Sequence, residues 1–371
     1  MADRGEDLRA FLASAGWGAA RRAPLAGDAS TRHYIRLHLN GRTAMLMDQP
    51  QAAEAPPAPA HATPEERRAL GYNAIARLAG ADTGRFVAAS NYLRARGLSA
   101  PDIYAADTNE GFVLMEDLGE ALYSDALMGG ADEMALYGAA IDALSSLHAE
   151  GAPAALAPDK PLHPYDETAL IAETDLMTEW FFPVGLGRSA TADETQTHRR
   201  LWREALDAVT AASPVFVHRD YHAQNLIWLP AREGVARVGL IDFQDAVAGA
   251  QAYDLISLTE DARRDVSPEL GEAMTRRYLD RMRAQGMPLD EAAFRAAVAV
   301  FAAQRNAKIV GIFSRLYRRD GKPRYLGYLP RVWGYLNRDL EHPVLAKLKA
   351  WYDRAIPREK RGAPRIEGAS V

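Results

Sequence analysis

The sequence predicts an α+β fold with two lobes, a small β-rich N-terminal lobe and a larger, mainly helical C-terminal one. Three observations point there. Short alternating or β-branched runs crowd the chain before residue 118, among them His33–Leu39 and Phe112–Met115. From Leu122 onward apolar residues recur with the helical period. One stretch interrupts the helices: Val215–Asp245 reads as strand, polar loop, strand, turn, strand. At 371 residues the chain is long enough for two lobes with ample core. The expected division is an N-lobe over 1–118, a C-lobe over 119–357 and a disordered tail over 358–371.

Composition excludes several classes of function before any motif is read. A net charge of −5 argues against general nucleic-acid binding. The absence of cysteine rules out disulfides, thiolate metal sites and Cys nucleophiles, and it suits a reducing compartment. No apolar run approaches the ~20 residues of a membrane span, and MADRGEDLRAFLASAG lacks a signal-peptide core. A cytoplasmic protein without membrane association is therefore expected.

In chain order, Asp7–Ala15 has an apolar face of Leu8, Phe11 and Leu12 and predicts a short helix. A small-residue loop, Gly27–Thr31, leads into strand His33–Leu39, with Thr43–Asp48 the next strand. Residues 51–64 are Ala/Pro-rich and read as a surface excursion. Thr63, Pro64 and Glu66 form a capping box that starts a helix expected to run to about Ala79. A further helix, Phe86–Arg96, is stopped by Gly97, and Asp102–Ala106 and Phe112–Met115 are strands. Helices are expected over 134–149, 168–182 and 201–211. Within Gln304–Arg331, Arg305, Lys308, Arg315 and Arg319 share one helical face, a basic stripe on an acidic protein that suggests an anion. GLGRS (185–189) lacks both the lysine and the strand-to-helix context of a phosphate loop.

The chemistry concentrates in Val215–Asp245. Its strands are apolar enough to be buried, yet Asp220, Asn225 and Asp242 stand at their ends. Half-buried acids without cationic neighbours are costly, and a divalent cation removes that cost. Mg²⁺ takes hard oxygen ligands, one or two carboxylates plus substrate phosphates, which fits Asn225 and Asp242. Asp220 is then left to orient and deprotonate a hydroxyl.

HRDYHAQN (218–225) and LIDFQD (240–245) resemble the catalytic loop and metal segment of protein-kinase-like phosphotransferases. AYDLISL follows directly, with no activation loop or A-P-E segment, so the resemblance is closer to the aminoglycoside-phosphotransferase and choline-kinase family. It implies a kinase-like fold using ATP and Mg²⁺, with Arg219 adding positive charge beside the transferred group. Gly27, Ser30 and Thr31 would touch the phosphates, and the main chain of Glu116 and Leu118 in MEDLG would form the adenine-binding hinge. Asp254 would be a buried buttress. The usual third-strand lysine is missing, since no lysine precedes Lys160 and Met47 stands in its place. Its glutamate partner is missing too, which leaves Arg32 and Arg36 as candidate phosphate cations.

The segments GDASTRHYIRL, AMLMDQP and QRNAKIVGIFSRLYRRDGKPRYL narrow the resemblance. They are similar to the anomeric amino-sugar kinases of bacterial peptidoglycan recycling, which phosphorylate N-acetylmuramate and N-acetylglucosamine at C1. That resemblance covers residues 25 to about 340 and implies an amino-sugar acceptor, with Arg305, Lys308 or Arg315 sensing the lactyl carboxylate. Aminoglycoside, choline and homoserine kinases stay open, with Glu173, Asp175 and Glu179 as the acids a cationic acceptor would need. A nucleotide-binding pseudokinase is the reading that the missing lysine–glutamate pair supports.

Overall fold

The computed structural model describes residues 4–25, 31–50, 57–209 and 213–364. Helix α1 (Arg4–Ser14) is followed by strands β1 (Arg21–Pro24), β2 (His33–Leu39) and β3 (Arg42–Asp48). Helices α2 (Pro64–Leu70), α3 (Tyr72–Ile75) and α4 (Thr83–Arg94) precede strands β4 (Ile103–Asp107) and β5 (Phe112–Met115). Helices α5 (Tyr123–Met128) and α6 (Glu133–His148) come next, then the small hairpin of β6 (Ala155–Ala157) and β7 (Lys160–Pro161). Helix α7 (Glu167–Leu176) runs into a π-helical segment (Met177–Leu186), then α8 (Ala192–Asp207) and β8 (Val215–Val217). Strands β9 (Leu226–Trp228) and β10 (Val238–Leu240) form the expected polar hairpin. Five α-helices follow among the described residues: α9 (Ala252–Thr259), α10 (Pro268–Ala284), α11 (Glu291–Asp320), α12 (Leu329–Asp339) and α13 (Ala346–Ala355).

The N-terminal strands form one antiparallel sheet in the order β1-β2-β3-β5-β4. Alternation decides its faces: Leu37, Ala44, Leu46, Phe112 and Leu114 point to one side and are covered by Leu8 and Leu12 of α1 and by Trp17. The α+β class is as expected, a small sheet followed by mainly helical chain. By packing, the described residues form two compact units. One unit comprises 4–164 with 218–248, and the other 165–217 with 249–364. Hydrogen bonds explain why the hairpin joins the sheet unit. Leu240 donates to the Ser99 carbonyl at 2.8 Å, and Trp228 donates to the Ala121 carbonyl at 2.7 Å.

Other expectations change for local reasons. The Thr63 capping box forms, but its helix ends at Leu70, where Gly71 takes φ +99. The buried Arg67 side chain then binds the Ala74 and Ile75 carbonyls and turns the chain back. The single helix expected over 168–182 is α7 followed by the wider π-helical turns, with Pro183 inside them. Helix α8 begins well before Leu201 because Thr191 and Glu194 supply a second capping box. Residues 358–364 are ordered: Arg358–Lys360 is a 3₁₀ turn, and Arg361 donates to Asn337 Oδ1 and Asp353 Oδ1 at 2.6 and 2.8 Å. The rest of the expected tail lies outside the described residues.

In the second unit α11 packs against α7, the π-helical segment, α9 and α12. It is the one helix among the described residues long and apolar enough to span a bilayer, but 72% of its most apolar window is buried, as in a core helix. Gly311 permits this packing, because a Cβ there would stand 2.4–2.6 Å from Leu176. Nearby, Asn306 donates to Glu260 Oε2 (2.6 Å) and Asp339 Oδ2 (2.9 Å), and Arg338 binds Glu260 Oε1. Burial, then the Glu260 carboxylate, pushes the Asp339 carboxyl well above its usual range. The folded chain therefore keeps a proton that the unfolded chain releases near pH ~4, and stability falls as pH rises toward the folded pKa. Asp339→Asn mimics the protonated acid and removes this slope. Its Tm relative to wild type is expected to rise between pH 5 and pH 8; a difference that shrinks over that range would contradict the assignment.

Candidate active site

The loop 218–225 is fixed by its own side chains. Tyr221 donates to the Ala140 carbonyl of α6 at 2.7 Å, and buried Arg219 donates to the Ala76 carbonyl at 2.9 Å. Arg219 takes φ +76, a left-handed conformation that a non-glycine residue adopts at a cost of ~1–3 kcal/mol. His218 is buried between Tyr221 and Phe243, edge-on to each ring at 5.7 and 6.3 Å. Burial holds its imidazole below the ordinary range, against the pull of the Asp220 and Asp242 carboxylates. Asp220 is half-buried, and its main-chain carbonyl accepts from the His222 N–H (2.9 Å) and Asn225 Nδ2 (3.0 Å).

The hairpin register brings Asn225 and Asp242 together. Leu240 pairs with Leu226, and Ile241 donates to the Asn225 carbonyl at 3.2 Å, so the next residue, Asp242, lies beside Asn225. Asn225 Nδ2 stands 3.5 Å from Asp242 Oδ2. With that amide nitrogen occupied, the Asn225 Oδ1 is the atom left for a cation. Asp242, at φ +63, accepts on Oδ1 from Arg32 Nη1 (3.1 Å) and Gln244 Nε2 (2.9 Å). One amide oxygen and one carboxylate suit a hard divalent cation that draws its other ligands from phosphate and water. No cluster of three His, Cys, Asp or Glu side chains that could hold a metal occurs among the described residues.

Sequence reasoning missed the groups that pin the metal segment. Arg85 of α4 donates to the Gln244 and Ala246 carbonyls at 3.3 and 3.0 Å. Ala79 N–H donates to Asp245 Oδ1 at 2.6 Å, and Phe86 stacks on Phe243 with centroids 4.8 Å apart. The one available signal was an arginine set in the apolar, acid-free run around Arg85.

The nucleotide-side candidates separate. Gly27 and Ser30 lie outside the described residues. Thr31 Oγ1 accepts from the buried Gln49 Nε2 at 3.0 Å. Arg36 is held by Asp117 Oδ2 at 2.7 Å and by Glu120, whereas Arg32 reaches the metal-segment carboxylate. Met47, where a lysine was sought, is buried with Tyr34 Oη 3.6 Å from its sulfur, and burial raises the Tyr34 pKa to about 12. Glu116 donates its N–H to the Asp102 carbonyl (2.7 Å) and pairs through its side chain with Arg232, while Leu118 is buried.

The basic residues of α11 sit in the second unit. Arg305 is buried and donates to the Glu260 carbonyl at 3.1 Å. Lys308 pairs with buried Glu173 at 3.1 Å, Arg319 pairs with Asp320, and half-buried Arg315 acts electrostatically on Glu179. Asp254 is buried in α9.

A carboxylate at a loop centre, an amide–carboxylate pair on the following hairpin and a five-stranded antiparallel sheet define a kinase-like phosphotransferase. The model of the phosphotransferase enzyme family matches residues 21–289, and the chain belongs to that family. It is an ATP-dependent phosphotransferase. The chain is 47% identical over 358 residues to the N-acetylmuramate/N-acetylglucosamine kinase of Caulobacter vibrioides, covering 95% of this chain and 96% of that one. It is 32% identical to the Pseudomonas putida protein of the same name, covering 92% and 91%. Among solved structures, a choline/ethanolamine kinase family protein from Mesorhizobium loti superposes with a TM-score of 0.55 at 14% identity, covering 94% and 99%. That likeness bears on the fold alone.

Proposed function

We propose that the protein phosphorylates N-acetylmuramate and N-acetylglucosamine at the anomeric C1 hydroxyl, using Mg²⁺-ATP, in cytoplasmic recycling of the cell wall. The observation that carries this reading is the convergence of Asp220, Asn225 and Asp242, joined to relatives named for these two sugars. Asp220 accepts the proton as the C1 oxygen attacks the γ-phosphorus; a C1–O–P linkage forms and ADP leaves. An anomeric hydroxyl is more acidic than an ordinary sugar hydroxyl, so one carboxylate suffices as base. Asn225 and Asp242 would hold Mg²⁺, which when bound neutralises charge on the β- and γ-phosphates. The Glu116 carbonyl and the Leu118 N–H would receive adenine, because the Glu116 N–H is already donated to Asp102. The test is an acceptor panel with the product read by phosphorus NMR. Both N-acetylated sugars should give C1 phosphates and their methyl glycosides none; a phosphorylated methyl glycoside would place the chemistry at another hydroxyl.

Arg32 takes the lysine's part in this reading, since it alone of the two candidates contacts the metal-segment carboxylate. Losing a charge-assisted contact of ~2–3 kcal/mol lowers kcat or raises the ATP KM about a hundredfold, and Arg32→Ala should do so. Arg36→Ala should act through the 117–120 turn and cost less than about tenfold. The reverse ranking in steady-state kinetics would exchange their roles.

Arg315, a half-buried guanidinium of α11, is assigned the lactyl carboxylate because a planar guanidinium can pair bidentately with it; Arg305 donates to a main-chain carbonyl and Lys308 pairs with Glu173. A lost carboxylate partner costs ~1.5–3 kcal/mol, so Arg315→Ala should lose N-acetylmuramate activity about tenfold or more. N-acetylglucosamine activity should fall much less; equal losses on both sugars would remove this role.

A further inference from the structure

An arginine outside the proposed site reaches the segment that would receive adenine. Arg232 lies in the turn between β9 and β10, where its N–H donates to the Leu229 carbonyl at 3.0 Å and its own carbonyl accepts from Arg237 Nε at 3.0 Å. Its guanidinium has two arms. Nη1 donates to Ser99 Oγ at 2.6 Å, and Nη2 donates to Glu116 Oε1 at 2.5 Å. Ser99 Oγ donates in turn to the Ala236 carbonyl at 2.6 Å, which closes that arm back on the same turn. The other carboxylate oxygen of Glu116 accepts from the Asp102 N–H at 3.2 Å and stands 3.5 Å from Arg94 Nη1. The Glu116 N–H is donated to the Asp102 carbonyl at 2.7 Å. Every one of these residues belongs to the first unit.

The neighbouring residue is held as well. Asp117 pairs with Arg36 Nε at 2.7 Å and accepts from the Gly119 N–H at 3.0 Å, with Gly119 at φ +90. The peptide joining residues 116 and 117 is therefore anchored at both ends by an arginine–carboxylate pair, Arg232 on one side and Arg36 on the other. With 32% and 23% of their side chains exposed, Arg232 and Glu116 form a pair that adds little to global stability. Its effect is local. Among the described residues the Glu116 carbonyl and the Leu118 N–H take part in no hydrogen bond, and the pair fixes the backbone that carries the first of them.

An acceptor followed two residues later by a donor matches adenine, which offers an amino donor at C6 and an acceptor at N1. Hypoxanthine and guanine present the reverse, a carbonyl at C6 and an N–H at N1. To take either, the 116–117 peptide has to turn over, so that the Asp117 N–H replaces the Glu116 carbonyl. A site fixed to hydrogen-bond one group discriminates against analogues lacking it, because its polar atoms are left unpaired. We infer that Arg232 is a positioning residue that holds the Glu116 carbonyl against this turn and so makes the enzyme select adenine over 6-oxopurine nucleotides. This rests on the reading of residues 116–118 as the adenine contacts and deepens it, since it names the residue on which the choice of base depends.

The experiment titrates the Mg²⁺ complexes of ADP, IDP and GDP into wild type and variants without acceptor, so neither turnover nor the choice of sugar enters. Wild type should bind ADP at least about tenfold more tightly than IDP or GDP, the cost of one or more unmatched hydrogen bonds. Arg232→Ala should weaken ADP about tenfold and leave IDP and GDP within about twofold, so that the preference collapses. In turnover its ATP KM should rise while kcat stays near wild type, since the base is remote from the transferred phosphate. Glu116→Ala, which breaks the same pair from the other side and keeps the main-chain carbonyl, should do the same. The double variant should be no worse than either single one, because both remove one interaction. Losses that add in the double variant would mean that Arg232 acts apart from Glu116 and would overturn the inference. An equal loss on all three nucleotides, with a lower Tm, would make the network structural and overturn it too. So would an Arg232→Ala protein that keeps the wild-type preference, with the adenine reading left standing. If wild type binds ADP and IDP alike, the adenine reading has failed first, and the inference falls with it before any variant is made.

Discussion

Asp220→Asn should lower kcat by roughly 10²–10⁴-fold, the span that a positioned general base contributes, while ATP affinity stays near wild type. The separation follows from what Asp220 does in the fold. Its main-chain carbonyl, which the substitution leaves in place, is what accepts from the His222 N–H and Asn225 Nδ2. The loop therefore keeps its shape and Asn225 stays 3.5 Å from Asp242. Proton acceptance at the side chain is what the substitution removes. Steady-state turnover beside a nucleotide titration checks both halves. Wild-type turnover in the variant would mean that another group takes the proton.

Gly311→Ala should be the most damaging single-methyl change for stability. The added Cβ would stand 2.4 Å from Leu176 Cβ, 2.5 Å from its carbonyl carbon and 2.6 Å from its oxygen. Two of those three atoms are main chain and cannot rotate aside, so α11 and α7 must separate. Overpacking of this kind costs ~1–3 kcal/mol or more. At about 2–4 °C per kcal/mol for a unit of this size, Tm should fall by roughly 2–12 °C. Gly334→Ala, at an exposed position of α12, is the matched control. Nothing lies within 4 Å of a Cβ there, and alanine favours a helix interior over glycine by ~0.5–1 kcal/mol, so Tm should rise slightly. Thermal melts of both variants decide the point; a Gly311→Ala protein melting with wild type would show that the helices can move apart freely.

What was legible in the sequence was what chain neighbours encode. The candidate catalytic loop, the hairpin and the acids at its ends lie within about thirty residues, and hairpin register carries Asn225 to Asp242 without help from distant chain. Distant partners left little local trace. Arg85 meets the carbonyls of residues 244 and 246 across some 160 positions, and no periodicity of either segment announces that contact. The basic stripe on α11 shows a different limit. Helical spacing places Arg305 and Lys308 on one face, but it does not say whether that face meets water. Because α11 is surrounded by α7, α9, α12 and the π-helical segment, Arg305 is buried against a carbonyl and Lys308 against Glu173.

The metal segment also has a consequence for how nucleotide binding is distributed between enthalpy and entropy. Residues 242–246 are held from three directions, by Ala79 on Asp245, by Arg85 on two carbonyls and by Phe86 on Phe243, and the Asp242 backbone sits in a left-handed conformation. Each residue so fixed gives up ~1–2 kcal/mol of backbone freedom when the chain folds. That freedom is not lost a second time when a ligand arrives. Calorimetry of nucleotide association should therefore show a small conformational-entropy penalty, and loosening the clamp at Arg85 should weaken binding through entropy while the contacting groups stay unchanged.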